Sequence, residues 1–188
     1  MSRVFATLVA ALLGLALTSG PAAAQFTIDF KKPILSAIEA GDAERVKQIL
    51  LKGESPNTVD TRGLPVLIVA VVAGYPDVVR VLVQAGALTE VPDNFGNTAL
   101  LRAAEHDNAE IAEVLLKNGA KVDAQNRQGT TALMIAARRG ALDLIDLLLR
   151  YKASVNRADY TGRTALGFAR QAGKQGAASM LVRAGGRE

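Results

Sequence analysis

Side chains capable of acid–base chemistry are few in this sequence. The single histidine, His106, follows Glu105, and an imidazole beside a carboxylate could sense pH or act in catalysis. Glu110 and Glu113 are spaced by about one helical turn, but no convergent partner accompanies them. A solvent-exposed helix face accounts for the two glutamates, and an ordinary surface residue accounts for the histidine.

Phosphate, metal and thiol chemistry have equally little support. Residues 162–167 contain two glycines and a threonine, yet neither they nor the Gly173-Lys174 pair has the spacing of a phosphate-binding loop. The chain has no cysteine, which excludes disulfides, thiolate metal ligands and a cysteine nucleophile, and one histidine alone does not form a zinc site. We therefore predict that the protein is not an enzyme and has no catalytic residue, metal or cofactor.

The strongest pattern in the sequence is a period of about 33 residues, which indicates a stack of similar units. Glycine recurs at this period at positions 63, 96, 129 and 162. Three further columns keep the same register without a gap: Leu67, Leu100, Leu133 and Leu166; Ala70, Ala103, Ala136 and Ala169; and Leu82, Leu115, Leu148 and Leu181. One more unit precedes them, with Pro33, Ile34, Ala37, Gly41, Ile49 and Gly53 in register.

Within each unit the spacing predicts two short antiparallel helices. In the third unit, small and apolar residues at Leu100, Ala103 and Ala104 form one helical face, and a second apolar stripe begins at Ile111. Gly119 should end the second helix in the left-handed conformation, and a glycine-centred turn leads into the next unit. Threonine is well placed to cap each first helix, as Thr98, Thr131 and Thr164.

These motifs resemble the ankyrin-repeat family. Residues 129–137 read GTTALMIAA, where the family has glycine followed by Thr-Pro-Leu-His and two alanines, and residues 118–123 read NGAKVD, like the family's Gly-Ala-Asp/Asn close. The resemblance covers about residues 30–188. It implies an all-α ankyrin-repeat solenoid of about five helix–turn–helix units with projecting β-turns, at about residues 30–59, 60–92, 93–125, 126–158 and 159–188.

Two positions depart from the glycine columns. Asp107 stands where Gly74, Gly140 and Gly173 stand in other units, and aspartate can adopt the left-handed region. Lys152 stands in the column of Gly53, Gly86, Gly119 and Gly185. We expect a left-handed backbone at Lys152, which strains a residue that has a Cβ atom.

The N-terminal segment is typical of a cleavable signal. Arg3 provides a positive charge, residues 4–17 form an apolar run, and Ala22, Ala23 and Ala24 offer a small-residue cleavage site. A retained membrane anchor is the alternative, but the fourteen apolar residues fall short of the roughly 20 needed to cross a bilayer. We predict a signal peptide at 1–24 and a mature domain at 25–188 that is periplasmic or secreted from a bacterium, with no stable membrane insertion.

Charge is distributed unevenly along the repeats. Residues 93–125 have three basic and six acidic residues, a net charge of −3, whereas residues 126–188 have eleven basic and four acidic residues, a net charge of +7. Such a change of sign can steer the approach of a partner, although a generically basic surface is an equal alternative. Export argues against nucleic acid as the partner, and an anionic membrane surface is a better rival for the basic half.

In the ankyrin family, partners contact the residues beside each turn glycine and those that end each first helix. The resemblance therefore implies turn contacts at Arg62, Leu64, Phe95, Asn97, Arg127, Gln128, Thr130, Tyr160, Thr161 and Arg163. It implies first-helix contacts at Val72, Glu105, His106, Arg138, Arg139 and Gln171. We expect the two aromatic rings to anchor the partner, with Arg138 and Arg139 between them on the concave side. The alternative is that Phe95 folds back onto its own turn and that the two arginines are only solvated.

The function predicted from these features is that of an exported scaffold, monomeric by itself, that recognises another protein through the concave face and the turn tips. The resemblance to exported bacterial ankyrin proteins implies support of periplasmic partners, including in peroxide defence. The alternative is an inhibitor or immunity-type protein that blocks a toxin or a hydrolase.

Overall fold

A computed structural model describes residues 32–188, which form ten helices. The predicted signal segment and residues 25–31 lie outside the described residues. The helices are α1 (Pro33–Glu39), α2 (Ala43–Leu51), α3 (Val66–Ala73), α4 (Pro76–Gln84), α5 (Ala99–Glu105), α6 (Ala109–Lys117), α7 (Ala132–Arg139), α8 (Leu142–Arg150), α9 (Ala165–Gln171) and α10 (Gln175–Arg183).

The helices form five antiparallel pairs stacked in two layers. The odd-numbered, first helices pack on one another in one layer, the even-numbered, second helices pack in the other, and each first helix also contacts its own second helix. The first helices begin at Pro33, Val66, Ala99, Ala132 and Ala165, so the interval between them is constant and equals the period of the sequence. The predicted all-α repeat solenoid is therefore confirmed.

Leucine and alanine columns build the interior. Ala70, Ala103, Ala136 and Ala169 have no solvent exposure, and both four-membered leucine columns are buried. Because alanine side chains are short, neighbouring first helices can approach closely, while the leucines fill the wider space between the layers. A single continuous apolar core therefore runs through all the units.

Helix N-termini agree only in part with the sequence. The hydroxyl oxygens of Thr131 and Thr164 accept hydrogen bonds from the amides three residues ahead, both at 3.4 Å, as predicted. Thr98 was expected to do the same, and this prediction is wrong: its buried hydroxyl has no hydrogen-bond partner among residues 32–188. A threonine at the N-cap supplies an acceptor, but the bond forms only when the hydroxyl points at the right amide.

The chain leaves helix α8 through a left-handed residue, Lys152, as the glycine column predicts. Lys152 has φ of 62°, and the amides of Lys152 and Ala153 donate to the carbonyls of Leu149 and Leu148 at 2.9 and 3.0 Å. Gly119 ends α6 with φ of 86° and the same pattern of bonds. Asp107 also has a positive φ, 54°, in agreement with its place in a glycine column.

Replacing Lys152 by glycine should raise the free energy of unfolding by about 0.5–1 kcal/mol. Glycine relieves the left-handed strain, and the greater freedom of its unfolded chain offsets part of that gain. The midpoint of urea unfolding measures the change. Lys152→Ala keeps the Cβ atom and should leave the midpoint nearly unchanged; an equal gain in both variants would mean that the lysine side chain, rather than the backbone, is the source of the strain.

Candidate protein-binding groove

Each turn between units is organised by one polar side chain at its start. Asp60, Asp93, Asn126 and Asp159 recur with the period of the repeat. In each case the Oδ1 atom accepts hydrogen bonds from the backbone amides two and four residues further on, at 2.8–3.0 Å. Because two amides converge on one oxygen, the glycine-centred loop between them is held in a single conformation.

The carboxylates at these positions are stabilised in their charged form. Burial by itself would raise the pKa of Asp159, but hydrogen bonds from the Thr161 hydroxyl and from the Arg163 and Thr161 amides outweigh it and lower the pKa to about 2. The pKa of Asp93 is lowered too, since bonds from Arg102 and from two turn amides outweigh burial. The pKa of Asp60 is lowered in the same way.

Three successive turns are joined to one another by hydrogen bonds. The Arg127 amide donates to the Phe95 carbonyl at 3.4 Å, and the Tyr160 amide donates to the Gln128 carbonyl at 3.1 Å. The Asn126 side-chain amide donates to Oδ1 of Asn97 at 2.9 Å. The turns at residues 93–97, 126–130 and 159–163 therefore form one continuous edge beside the first helices.

A groove of about 470 Å³ lies between this edge and the first helices α5, α7 and α9. It crosses three units, and we call it the concave groove. Its lining residues are Phe95, Asn97, Arg102, Glu105, Asn126, Gln128, Thr130, Ile135, Arg138, Asp159, Thr161, Arg163 and Phe168.

Similar pairs of an arginine and a phenylalanine stand at the two ends of the concave groove. The Arg102 guanidinium lies 5.6 Å from the centre of the Phe95 ring, and that of Arg163 lies 4.4 Å from the centre of the Phe168 ring. Both arginines also have anionic partners in their own unit. Nε of Arg102 donates to Asp93 at 2.7 Å, and Nη2 of Arg163 donates to Asp159 at 3.1 Å.

Eight of the sixteen residues predicted to contact a partner line the concave groove: Phe95, Asn97, Glu105, Gln128, Thr130, Arg138, Thr161 and Arg163. Phe95 is 63% exposed, so its ring does not fold into its own turn. Asn97, in contrast, is only 4% exposed, and its side chain ties two turns together. The other seven residues contribute directly to the wall of the groove.

The remaining eight predicted residues lie elsewhere. Val72 is exposed near the end of α3, and Gln171, the last residue of α9, accepts a hydrogen bond from Arg163 without lining the groove. Arg62 and Leu64 line a smaller depression of about 240 Å³ that also touches Phe95. Arg127 lines a separate depression between successive turns. Tyr160 is 73% exposed on the turn edge, while His106 and Arg139 are exposed at the ends of α5 and α7 and do not line the groove.

Sequence reasoning missed one helical column of the groove. Val69, Arg102, Ile135 and Phe168 occupy the same position in successive first helices, and the last three line the groove. A signal was available, because this column varies in residue type whereas the leucine and alanine columns beside it are constant. The turn-starting column of Asp93, Asn126 and Asp159 was missed as well, although its regular spacing is visible in the sequence.

Two further features concern metal-ligand clusters and membrane-spanning helices among the described residues. No group of three or more histidine or acidic side chains is arranged to hold a metal ion among residues 32–188. Within the same residues no helix has the length and apolar character required to cross a bilayer.

Comparison with known proteins agrees with the fold. A sequence model of ankyrin repeats, in three copies, matches residues 34–126 and again residues 120–187. No curated protein matches the chain. Ankyrin repeats generally act as non-catalytic scaffolds for protein–protein interaction. With most of its length matched in this way, the chain belongs to the ankyrin-repeat family.

Proposed function

We propose that the protein is an exported scaffold that holds a segment of a partner protein in the concave groove. The observation that carries this proposal is Phe95, a large apolar ring that stays 63% exposed at the end of a groove with a fixed backbone. Interfaces use rigid aromatic side chains of this kind as anchors, because such rings bury much area and lose little conformational freedom. The hydrogen-bonded turns also favour binding, because their backbone is already ordered and loses little conformational entropy when a partner binds.

Export is a second part of the proposal, and it rests on the sequence of residues 1–24. The bait for a search should therefore begin at Gln25, and the partner should be sought outside the cytoplasm. Intact-mass measurement of the protein from that fraction should show a chain that starts at Gln25. Peroxide defence is the process that we propose to examine first, by comparing fractions from cells grown with and without peroxide.

Phe95→Ala should weaken binding of the captured partner by more than about 1 kcal/mol, a typical threshold for an anchoring residue. The matched control is Leu51→Ala at the end of α2, which removes a similarly exposed apolar side chain, 79% accessible, from the layer of second helices. Calorimetric titration of both folded variants against the partner measures the difference.

The control also locates the interface if the proposal is wrong. Leu51 lines a shallow apolar depression of about 300 Å³ with Leu50, Val81 and Ala85, between α2 and α4. A partner that binds Phe95→Ala as tightly as the wild type, and binds Leu51→Ala weakly, would place the interface on the second helices. Equal weakening in both variants would also contradict the concave groove as the site.

A further inference from the structure

The concave groove contains three guanidinium groups, and two of them already donate hydrogen bonds within the protein from every nitrogen. Arg102 donates from Nε to Asp93 and from Nη1 to Glu105 at 2.6 Å, and Nη2 also contacts Asp93. Arg163 donates from Nε to Thr161 at 3.0 Å, from Nη1 to Gln171 at 3.1 Å and from Nη2 to Asp159 at 3.1 Å. All three nitrogens of each group are engaged within the protein.

Arg138 is different. It lines the groove near the end of α7, between the Arg102 and Arg163 pairs, and it makes no hydrogen bond or ion pair with any described residue. The nearest acidic position in the repeat register is Glu105, one unit before it, and Arg102 already occupies that carboxylate. No residue among 32–188 therefore occupies the donors of Arg138, and its planar guanidinium matches a carboxylate with two parallel bonds.

We propose that the groove recognises an acidic peptide segment, in which an Asp or Glu side chain pairs with Arg138 and a nearby apolar side chain packs on Phe95. This inference rests on the proposed function and names the chemistry of its ligand. Ile135 and Phe168 are largely buried, so the Phe95 ring is the main apolar surface that the groove offers. One carboxylate would thus occupy the Arg138 donors that have no partner among residues 32–188, and one apolar side chain would cover the exposed part of the Phe95 ring.

The shape of the site favours a peptide over an anionic membrane. Arg138 is exposed in a groove whose other walls are turns and first helices, a shape that fits a narrow chain better than a flat bilayer. Arg139, the next residue along α7, carries the same charge, is also exposed and lies outside the groove lining. A bilayer would sense both arginines alike, whereas a peptide in the groove should sense Arg138 alone.

The test starts from random peptides displayed on phage and selected against the purified protein. The selected sequences should share an acidic position next to an apolar one. Synthetic copies of one such peptide, with Glu at the acidic position or with Gln in its place, are then titrated by calorimetry against the wild type, Arg138→Gln, Arg138→Lys and Arg139→Gln. Arg138→Gln and Arg139→Gln are a matched pair, since each removes one positive charge from an exposed position of the same helix.

For the wild type and for Arg139→Gln, the Glu peptide should bind at least about tenfold more tightly than the Gln peptide. For Arg138→Gln the two peptides should bind within about twofold of each other, since neither peptide can form the ion pair once the guanidinium is removed. Arg138→Lys should restore only part of the difference, because lysine cannot form two parallel bonds.

Other outcomes overturn the inference in distinguishable ways. Selected peptides that lack an acidic position, yet lose binding with Phe95→Ala, would refute the carboxylate and leave the groove as the binding site. Peptides that are insensitive to Phe95→Ala, or a library from which nothing is enriched, would contradict both proposals. Binding to anionic lipid vesicles that Arg138→Gln and Arg139→Gln reduce equally, without selected peptides, would assign the basic half to a membrane.

Discussion

Gly129→Ala should lower the free energy of unfolding by about 2–4 kcal/mol, whereas Gly162→Ala, at the same position of the next unit, should lower it by only about 1 kcal/mol. Both glycines are left-handed, with φ of 77° and 85°, so both substitutions place a Cβ atom on a strained backbone. At Gly129 that atom would also lie 2.7 Å from the Tyr160 ring and 2.8 Å from the Tyr160 amide nitrogen. At Gly162 no atom of a packed neighbour in the described part of the chain lies within 4 Å of the added Cβ atom.

Chemical denaturation of the two variants and of the wild type measures this difference. Because the strain from φ is common to both, their difference reports the close packing of one turn against the next. The ring can rotate away, but the backbone nitrogen cannot move without breaking its bond to the Gln128 carbonyl. Equal losses of stability in the two variants would show that the turns at residues 126–130 and 159–163 do not pack together in solution.

Asp159→Ala should cost roughly 2–4 kcal/mol at neutral pH, because it removes the acceptor for two turn amides and the charge partner of Arg163. Asp159→Asn should cost less, on the order of 2 kcal/mol, because it loses the charge but keeps an acceptor oxygen. Asn126 already performs the same task in the preceding turn, where its side-chain oxygen accepts two amides at 3.0 Å. Urea unfolding of both variants near pH 7 tests the ranking, and similar losses would mean that the acceptor oxygen adds nothing beyond the charge.

The same aspartate should make the protein sensitive to acid. Its pKa in the folded protein, about 2, lies below the ordinary value of 3.8, so protonation favours unfolding. The contribution of its charge, on the order of 2 kcal/mol, is complete above about pH 4 and is lost as the pH falls through about 2. The difference in stability between the wild type and Asp159→Asn should therefore shrink between pH 5 and pH 2; a constant difference would contradict the lowered pKa.

Local patterns were enough to predict much of the fold. The glycine column predicted the left-handed backbone at Lys152 from its place alone, and the structure confirms it with φ of 62°. The leucine and alanine columns predicted which faces of the helices are buried. Such predictions succeed because each repeat contacts only its neighbours, so the same local environment recurs with the same spacing along the chain.

The binding surface could be predicted only in outline. The family resemblance implied Phe95, Gln128, Arg138 and Arg163 as contacts, and the structure brings these four into one groove. It does not bring Arg139 into the groove lining, although Arg138 and Arg139 look equivalent in the sequence. The difference arises because adjacent residues on a helix point about 100° apart, and the direction of the groove depends on how α7 sits between its neighbours.

The sequence by itself determined the repeat, the number and spacing of the helices, and the strained end of α8, because these follow from interactions between residues close in the chain or one period apart. Only the tertiary structure decided that Gly129 is crowded whereas Gly162 is not, among the described residues. It also decided that Thr98 lacks its cap bond. Finally, it decided that Arg102 and Arg163 are paired with carboxylates, while Arg138 has no partner among residues 32–188. The physical reason is that the first group depends on periodic apolar burial and backbone geometry, which residue type encodes directly. The second depends on which rotamer and which neighbouring turn fill a particular space, and that is settled when the units pack against one another.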